Sequence, residues 1–212
     1  MNFAIKIWGR RLWFACLVAA APVFAPLASA QEAGGIGYDR DIFLFGGVMT
    51  EGSFPGWSNI PFAAPLEDNY IVGAAVDYRL YEIGPFRFGA EIGLAGRFGD
   101  GTSADLWAGA SFRHSGFTMG PVTVGTGFVF GLSVVTDAIG VERTRAAAAG
   151  MWSPVAYYLG PEIWLVFESL PHLEFIFRTH HRSGGKNVPF LPTFGGMGDV
   201  SNANVFGVRK RF

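Results

Sequence analysis

Residues 172–183 alternate between oily and polar side chains, and a period of two dictates an extended strand with two unlike faces. Leu173, Phe175, Phe177, Thr179, His181 and Ser183 share one face; Glu174, Ile176, Arg178, His180 and Arg182 share the other. Seven further segments repeat the pattern. Residues 69–81 set Tyr70, Val72, Ala74, Val76, Tyr78 and Leu80 against Asp77 and Arg79, and residues 86–97 set Phe86, Phe88, Ala90, Ile92 and Leu94 against Arg87, Glu91 and Arg97. Residues 105–115, 122–132, 155–168 and 201–212 follow suit, and 41–50, apolar on both faces, opens the series.

Eight such strands must hide eight oily faces or find a solvent for them. Each is long enough for a tilted bilayer crossing, while no segment of 31–212 reaches the roughly 18 uninterrupted apolar residues of a membrane helix. Half of the residues are hydrophobic, with 21 Phe and 30 Gly and only 16% charged. Packing the aromatics inward, as a soluble lipocalin-like barrel would, crowds the core and leaves charges on narrow, glycine-rich outer positions. The inverted arrangement resolves both problems. The expected fold is therefore all-β, an eight-stranded antiparallel transmembrane β-barrel of the bacterial outer membrane, apolar outside and polar inside. Eight strands leave an interior that side chains fill, so no open pore is expected.

The connections agree with this reading. Long outer loops are expected at 51–68, 98–104, 133–150 and 182–200, and short turns at 82–85, 116–121 and 169–171, the asymmetry of outer-membrane barrels. The terminal Phe212, on the oily face of the last strand, resembles the end signal of such proteins. Residues 1–30 read as a cleaved signal peptide, with Lys6, Arg10 and Arg11 before an apolar stretch and Ala28-Ser29-Ala30 at the end. The barrel domain is then 31–212. Cys16, the single cysteine, falls within the leader, which excludes a disulfide framework and thiolate metal sites in the barrel. Loss of the three leader cations leaves the barrel slightly acidic, without the basic stripe that nucleic acid demands. No His, Asp and Glu cluster has metal-ligand spacing, so neither metal nor cofactor is expected.

Chemistry concentrates where the oily face of 172–183 ends. His181 and Ser183 are i, i+2 neighbours on one face at the outer end of the strand, oriented toward lipid by the parity of Phe175 and Phe177. An imidazole there can take the proton of the hydroxyl, the step that makes serine a nucleophile. The backbone amides of Gly184 and Gly185 are candidate oxyanion donors, and Arg182 and Lys186 suit the phosphates of an anionic lipid. The bland alternative is a girdle of interfacial polar groups without catalysis. His180 faces the interior, with Glu174, Arg178 or Glu162 as expected partners; His114 is structural; Glu142-Arg143-Thr144-Arg145 reads as a solvated run and Ala146–Ala149 as a helical turn.

The chain resembles the lipid A 3-O-deacylase family (PagL-like) and the related acyloxyacyl hydrolases. The likeness is carried by His181-Arg182-Ser183 near the end of an eight-stranded barrel, then a polar loop and a last strand ending in Phe. The resemblance implies metal-free hydrolysis of the ester-linked acyl chain at the 3-position of lipid A. It implies also that an acidic residue near the start of the last strand assists the His-x-Ser pair. Two residues compete for that place: Asp199, a carboxylate, and Asn202, which has the outward parity of Phe206. Where the family carries Asn after the serine, this chain has Gly184. The implied partner is lipopolysaccharide of the outer leaflet; a homodimer is left open. Two rivals remain: a non-enzymatic barrel for structure, adhesion or stress tolerance, and a barrel that transfers a palmitoyl chain.

Overall fold

The computed structural model describes residues 40–53, 64–186, 188 and 191–212. The expected leader, 1–30, lies outside them. Ten strands form: β1 (Arg40–Thr50), β2 (Leu66–Ile83), β3 (Phe86–Phe98), β4 (Thr102–His114), β5 (Phe117–Met119), β6 (Val122–Val135), β7 (Val155–Leu159), β8 (Glu162–Phe167), β9 (Leu173–Ser183) and β10 (Asp199–Arg211). Every pairing is antiparallel, and β10 returns to β1 in register from Asp41↔Arg211 to Thr50↔Asn202, closing the sheet. β7 and β8 share one place in the wall, both lying between β6 and β9, while β5 only caps a hairpin on β6. The ring thus has the eight positions expected.

The sixth position is split because Pro161 has no N–H to donate. The ladder survives across the break: Gly160 exchanges hydrogen bonds with Val129 at 2.8 and 3.1 Å, and Thr179 N–H reaches the Pro161 carbonyl at 3.0 Å. One expected loop is absent. Residues 98–104 are mostly strand, since Phe98 pairs with Thr102 and only 99–101 turn the chain. Ser103, expected in that loop, points inward like Arg97 at the end of its strand; the two are joined at 3.2 Å and both held by the Asp137 carbonyl.

Outside, the alternation is an apolar wall: Leu80, Leu94, Val72 and Ile92 are 71, 58, 50 and 50% exposed. Burial instead selects the polar partners of each strand. At the inner end of the barrel Arg178 bridges Glu91 and Glu162 at 2.6 and 2.7 Å, Arg113 adds Glu162 and Asp77 at 2.9 Å each, and Arg209 joins Glu162 to Glu174 at 2.8 and 2.7 Å. Desolvating such ions is costly unless each finds partners, and here opposite signs interleave. Trp107, Tyr158 and Phe45 form an aromatic layer above, with room made by Gly93, whose missing side chain would collide with the Trp107 indole. His180 sits edge-on to Trp107 and bonds Asp105 at 3.0 Å. Asp105 thus takes the place of the expected partners Glu174, Arg178 and Glu162, which bond one another and their neighbours instead.

Helix α1 (Val141–Ala149), in the third outer loop, caps the outer end. Its Glu142 is fully buried between Arg97 at 2.7 Å and Arg182 at 2.5 Å. The 142–145 run is therefore solvated only at Arg143 and Thr144; Glu142 is buried and Arg145 partly so. Arg182, expected beside lipid phosphate, is instead sealed inside, bonded also to Ser133 and the Pro154 carbonyl at 2.9 Å each. The apolar belt and closed ladder make the chain a β-barrel of the bacterial outer membrane.

Candidate active site

Strands β9 and β10 bring the candidate residues together at the outer end of the wall. His181 lies opposite Asn202 and Ser183 opposite Asp199. Counting by twos back from Phe206 passes through Asn204 and Asn202 and leaves Asp199 on the inner face. The register corrects this: Val200 is an extra residue between the Asp199–Ser183 and Ser201–Arg182 pairs. Such a bulge re-aims what precedes it. Asp199 consequently joins the same face as His181, Ser183 and Asn202, and both contenders for the third place are present.

Their hydrogen bonds fix the imidazole. Asn202 Nδ2 donates to the Gly52 carbonyl at 2.6 Å and to the Asp199 carboxylate at 3.2 Å, which directs Asn202 Oδ1 toward His181. His181 Nδ1 meets that oxygen at 2.5 Å and Asp199 Oδ1 at 3.3 Å. Facing two acceptors, Nδ1 carries the proton, and Nε2 is the basic nitrogen of the neutral ring. Parity is as expected, but the open exposure to lipid is not: His181 is only 2% exposed, enclosed at the seam where the first loop meets β10.

Ser183 is half-buried and is not bonded to His181. Its hydroxyl donates to the Gly198 carbonyl at 3.0 Å and accepts the Gly185 N–H at 3.2 Å. The expected oxyanion donors are accordingly engaged. Gly184 N–H is committed to the Gly198 carbonyl at 2.7 Å, and Gly185 N–H lies on the serine oxygen itself. The chain after β9 folds back over the site: Phe194 N–H bonds the Gly184 carbonyl at 2.7 Å, and Lys186 N–H the Met197 carbonyl at 3.2 Å. Gly195 and Gly196, at φ 59° and 61°, supply the left-handed turn that this return needs. Tyr157, opposite Ser183 on β7, holds the loop through its hydroxyl on the Pro192 carbonyl at 3.1 Å and its ring against Phe194. Lys186 is exposed; Arg182 is not.

One participant was not expected. Arg145 of α1 reaches Asp199 Oδ2 at 3.2 Å, on the side away from His181. The i, i+3 spacing of Glu142 and Arg145 is the sequence trace of this arrangement, since one residue anchors the helix in the lumen while the other crosses the rim.

No family model and no curated protein matches the sequence. Among solved structures, Neisserial surface protein A is similar over 84% of this chain and 100% of its own, at 14% identity and a TM-score of 0.50. The outer membrane enzyme PagL is similar over 80% of this chain and 98% of its own, at 12% identity and a TM-score of 0.49. A designed transmembrane β-barrel aligns with 84% of this chain and 98% of its own, at 8% identity and a TM-score of 0.46. At 14% identity the likeness to Neisserial surface protein A is one of fold alone, a small outer-membrane β-barrel.

Proposed function

We propose that this chain is an outer-membrane ester hydrolase that releases the 3-O-linked acyl chain of lipid A. The observation that carries the reading is the set of His181 Nδ1 on Asn202 and Asp199, with a serine two residues further along the same outward face. An oriented base beside a hydroxyl is the minimum for serine-mediated acyl transfer. Ser183 Oγ attacks the ester carbonyl and gives its proton to His181 Nε2; the sugar alkoxide leaves with that proton. Water, deprotonated by the same nitrogen, then attacks the acyl-serine; the C–Oγ bond breaks, Nε2 returns the proton to Ser183 Oγ and the fatty acid is freed. Asp199 and Asn202 hold the ring and stabilise the imidazolium. Gly185 N–H, on the serine oxygen in the resting arrangement, turns to the carbonyl oxyanion once the loop releases Ser183; Lys186 is the exposed cation available to lipid phosphate. The steps need no metal or cofactor.

In the resting arrangement Ser183 is held by the Gly198 carbonyl, so attack requires the loop to release it. That contact also favours the second reading, a barrel without catalysis in which the serine merely ties down a loop. Mass spectrometry of lipid A from an outer membrane holding the wild type, Ser183→Ala or His181→Asn separates the two. Loss of one hydroxyacyl chain in the wild type alone supports the hydrolase. An unchanged spectrum supports the non-catalytic barrel, and a gain of palmitoyl mass supports acyl transfer.

A further inference from the structure

Among the described residues Arg145 is the one long cation that crosses from the loop helix to the candidate acid, and it gathers two chain segments around it. Its Nη1 lies 3.2 Å from both Asp199 Oδ2 and the Val200 carbonyl, and its Nη2 lies 3.1, 3.2 and 3.4 Å from the Glu51 carbonyl, the Gly52 carbonyl and Ser53 Oγ. A planar guanidinium can satisfy so many acceptors at once; an ammonium cannot. The Gly52 carbonyl that Arg145 holds is the one that takes Asn202 Nδ2, so both partners of His181 Nδ1 are fixed through the same guanidinium. The helix itself is immobilised from below, where Glu142 is clamped by Arg97 and by Arg182, the residue between His181 and Ser183.

We infer that Arg145 is a positioning residue of the proposed hydrolase, setting Asp199 and Asn202 against His181 from the third outer loop. The inference rests on the proposed function for its catalytic consequence, although the link between Arg145 and His181 can be read without any turnover. Asp199 shares its charge between Arg145 on Oδ2 and His181 on Oδ1. Among the described residues the charged and titratable groups near His181 are Asp199 on β10, Arg145 on α1 and His180 on its own strand; Arg182 is turned into the lumen. Removing the Arg145 cation leaves the carboxylate to the imidazole alone, and the imidazolium gains stability. The protonated ring is inactive as a base. The acid limb of the pH–rate profile then moves to higher pH.

The test uses the full barrel, refolded in detergent and then supplied with lipid A, as wild type, Arg145→Ala and Arg145→Lys. Heat-modifiable electrophoretic mobility verifies folding of each. Arg145→Ala is expected to lower kcat by about 10- to 100-fold with KM little changed. Its acid limb is expected to rise by roughly half a pH unit. Arg145→Lys keeps a cation but loses the multiple contacts; the limb stays in place while kcat recovers only in part. A kcat loss in Arg145→Ala with an unmoved limb overturns the inference, because loosening of the loop alone accounts for it.

The second readout is the ¹⁵N imidazole titration of His181, assigned among the four histidines with His181→Asn. An upward move in Arg145→Ala, in a wild type that never deacylates, supports the Arg145–His181 link and removes the hydrolase. No move in a folded Arg145→Ala barrel overturns the link, whatever the activity.

Discussion

Asn202 Oδ1 lies 2.5 Å from His181 Nδ1 across the last ladder of the barrel, nearer than the Asp199 carboxylate at 3.3 Å. A neutral amide therefore makes the direct contact, and the carboxylate supports it from behind. Asn202→Ala should lower deacylation by about 100-fold, since the ring loses its orienting acceptor and the Gly52 link together. Asn202→Asp should retain more activity than Asn202→Ala, because a carboxylate can take the same Nδ1–H. Initial rates of fatty-acid release from lipid A rank the two; the reverse order would count against the orienting role.

Removing the carboxylate tests its supporting part. Asp199→Asn should still fold and still hold the ring through Asn202, but the imidazolium would lose its counter-charge. Deacylation is expected to fall by roughly 10-fold or more, with KM unaltered. Separate kcat and KM values decide it; a change confined to KM would move Asp199 from the chemistry to lipid binding.

The Tyr157 hydroxyl on the Pro192 carbonyl is one tie that keeps the returning loop over Ser183. A hydrogen bond of this kind contributes about 1 kcal/mol. Tyr157→Phe should open the loop more often and raise by roughly fivefold the rate at which a fluorophosphonate labels Ser183. Intact-mass measurement over time follows the labelling, with Ser183→Ala as the blank. Equal rates in Tyr157→Phe and wild type would show that the loop does not gate the hydroxyl.

Glu142 is the only anion between Arg97 and Arg182 among the described ion pairs at the outer end. Glu142→Ala leaves two buried guanidinium groups short of a partner and should cost about 3–5 kcal/mol. Glu82→Ala, on a half-exposed carboxylate at the inner rim, should cost less than about 1 kcal/mol. Urea unfolding of the barrel in bilayers gives both values; similar losses would refute the anchoring role of Glu142.

Ile92 stands at the middle of β3 on the lipid side, half exposed. Ile92→Arg should cost about 2–4 kcal/mol in a bilayer, as expected for a cation near the midplane. The same unfolding measurement checks it, and a loss near zero would place that residue outside the hydrocarbon.

Strand number, faces and closure were legible because a bilayer outside and a narrow lumen inside enforce strict alternation, which a sequence displays directly. His181 and Ser183 could be placed on one face for the same reason. What alternation hides is any departure from it. The Val200 bulge moved Asp199 to the outer face, and no count by twos could reveal that. Ser103 passed for loop because an inward polar residue at a strand end looks like a solvent-facing one. Glu142 and Arg145 read as a solvated run for a related reason: local composition carries no record of a helix turned down into a charged lumen. The closed state of Ser183 depends on the carbonyl of one residue, Gly198, 15 positions away, beyond any local pattern.

The interleaved ions around Arg178, Glu91, Glu162 and Arg209 fill the bore from wall to wall. A solute has no way through, and planar-bilayer recordings should register no stepwise current. A molecule that meets the outward face of β9 and β10 therefore does not come to it through the bore. A lipid of the outer leaflet reaches that face sideways, by two-dimensional diffusion.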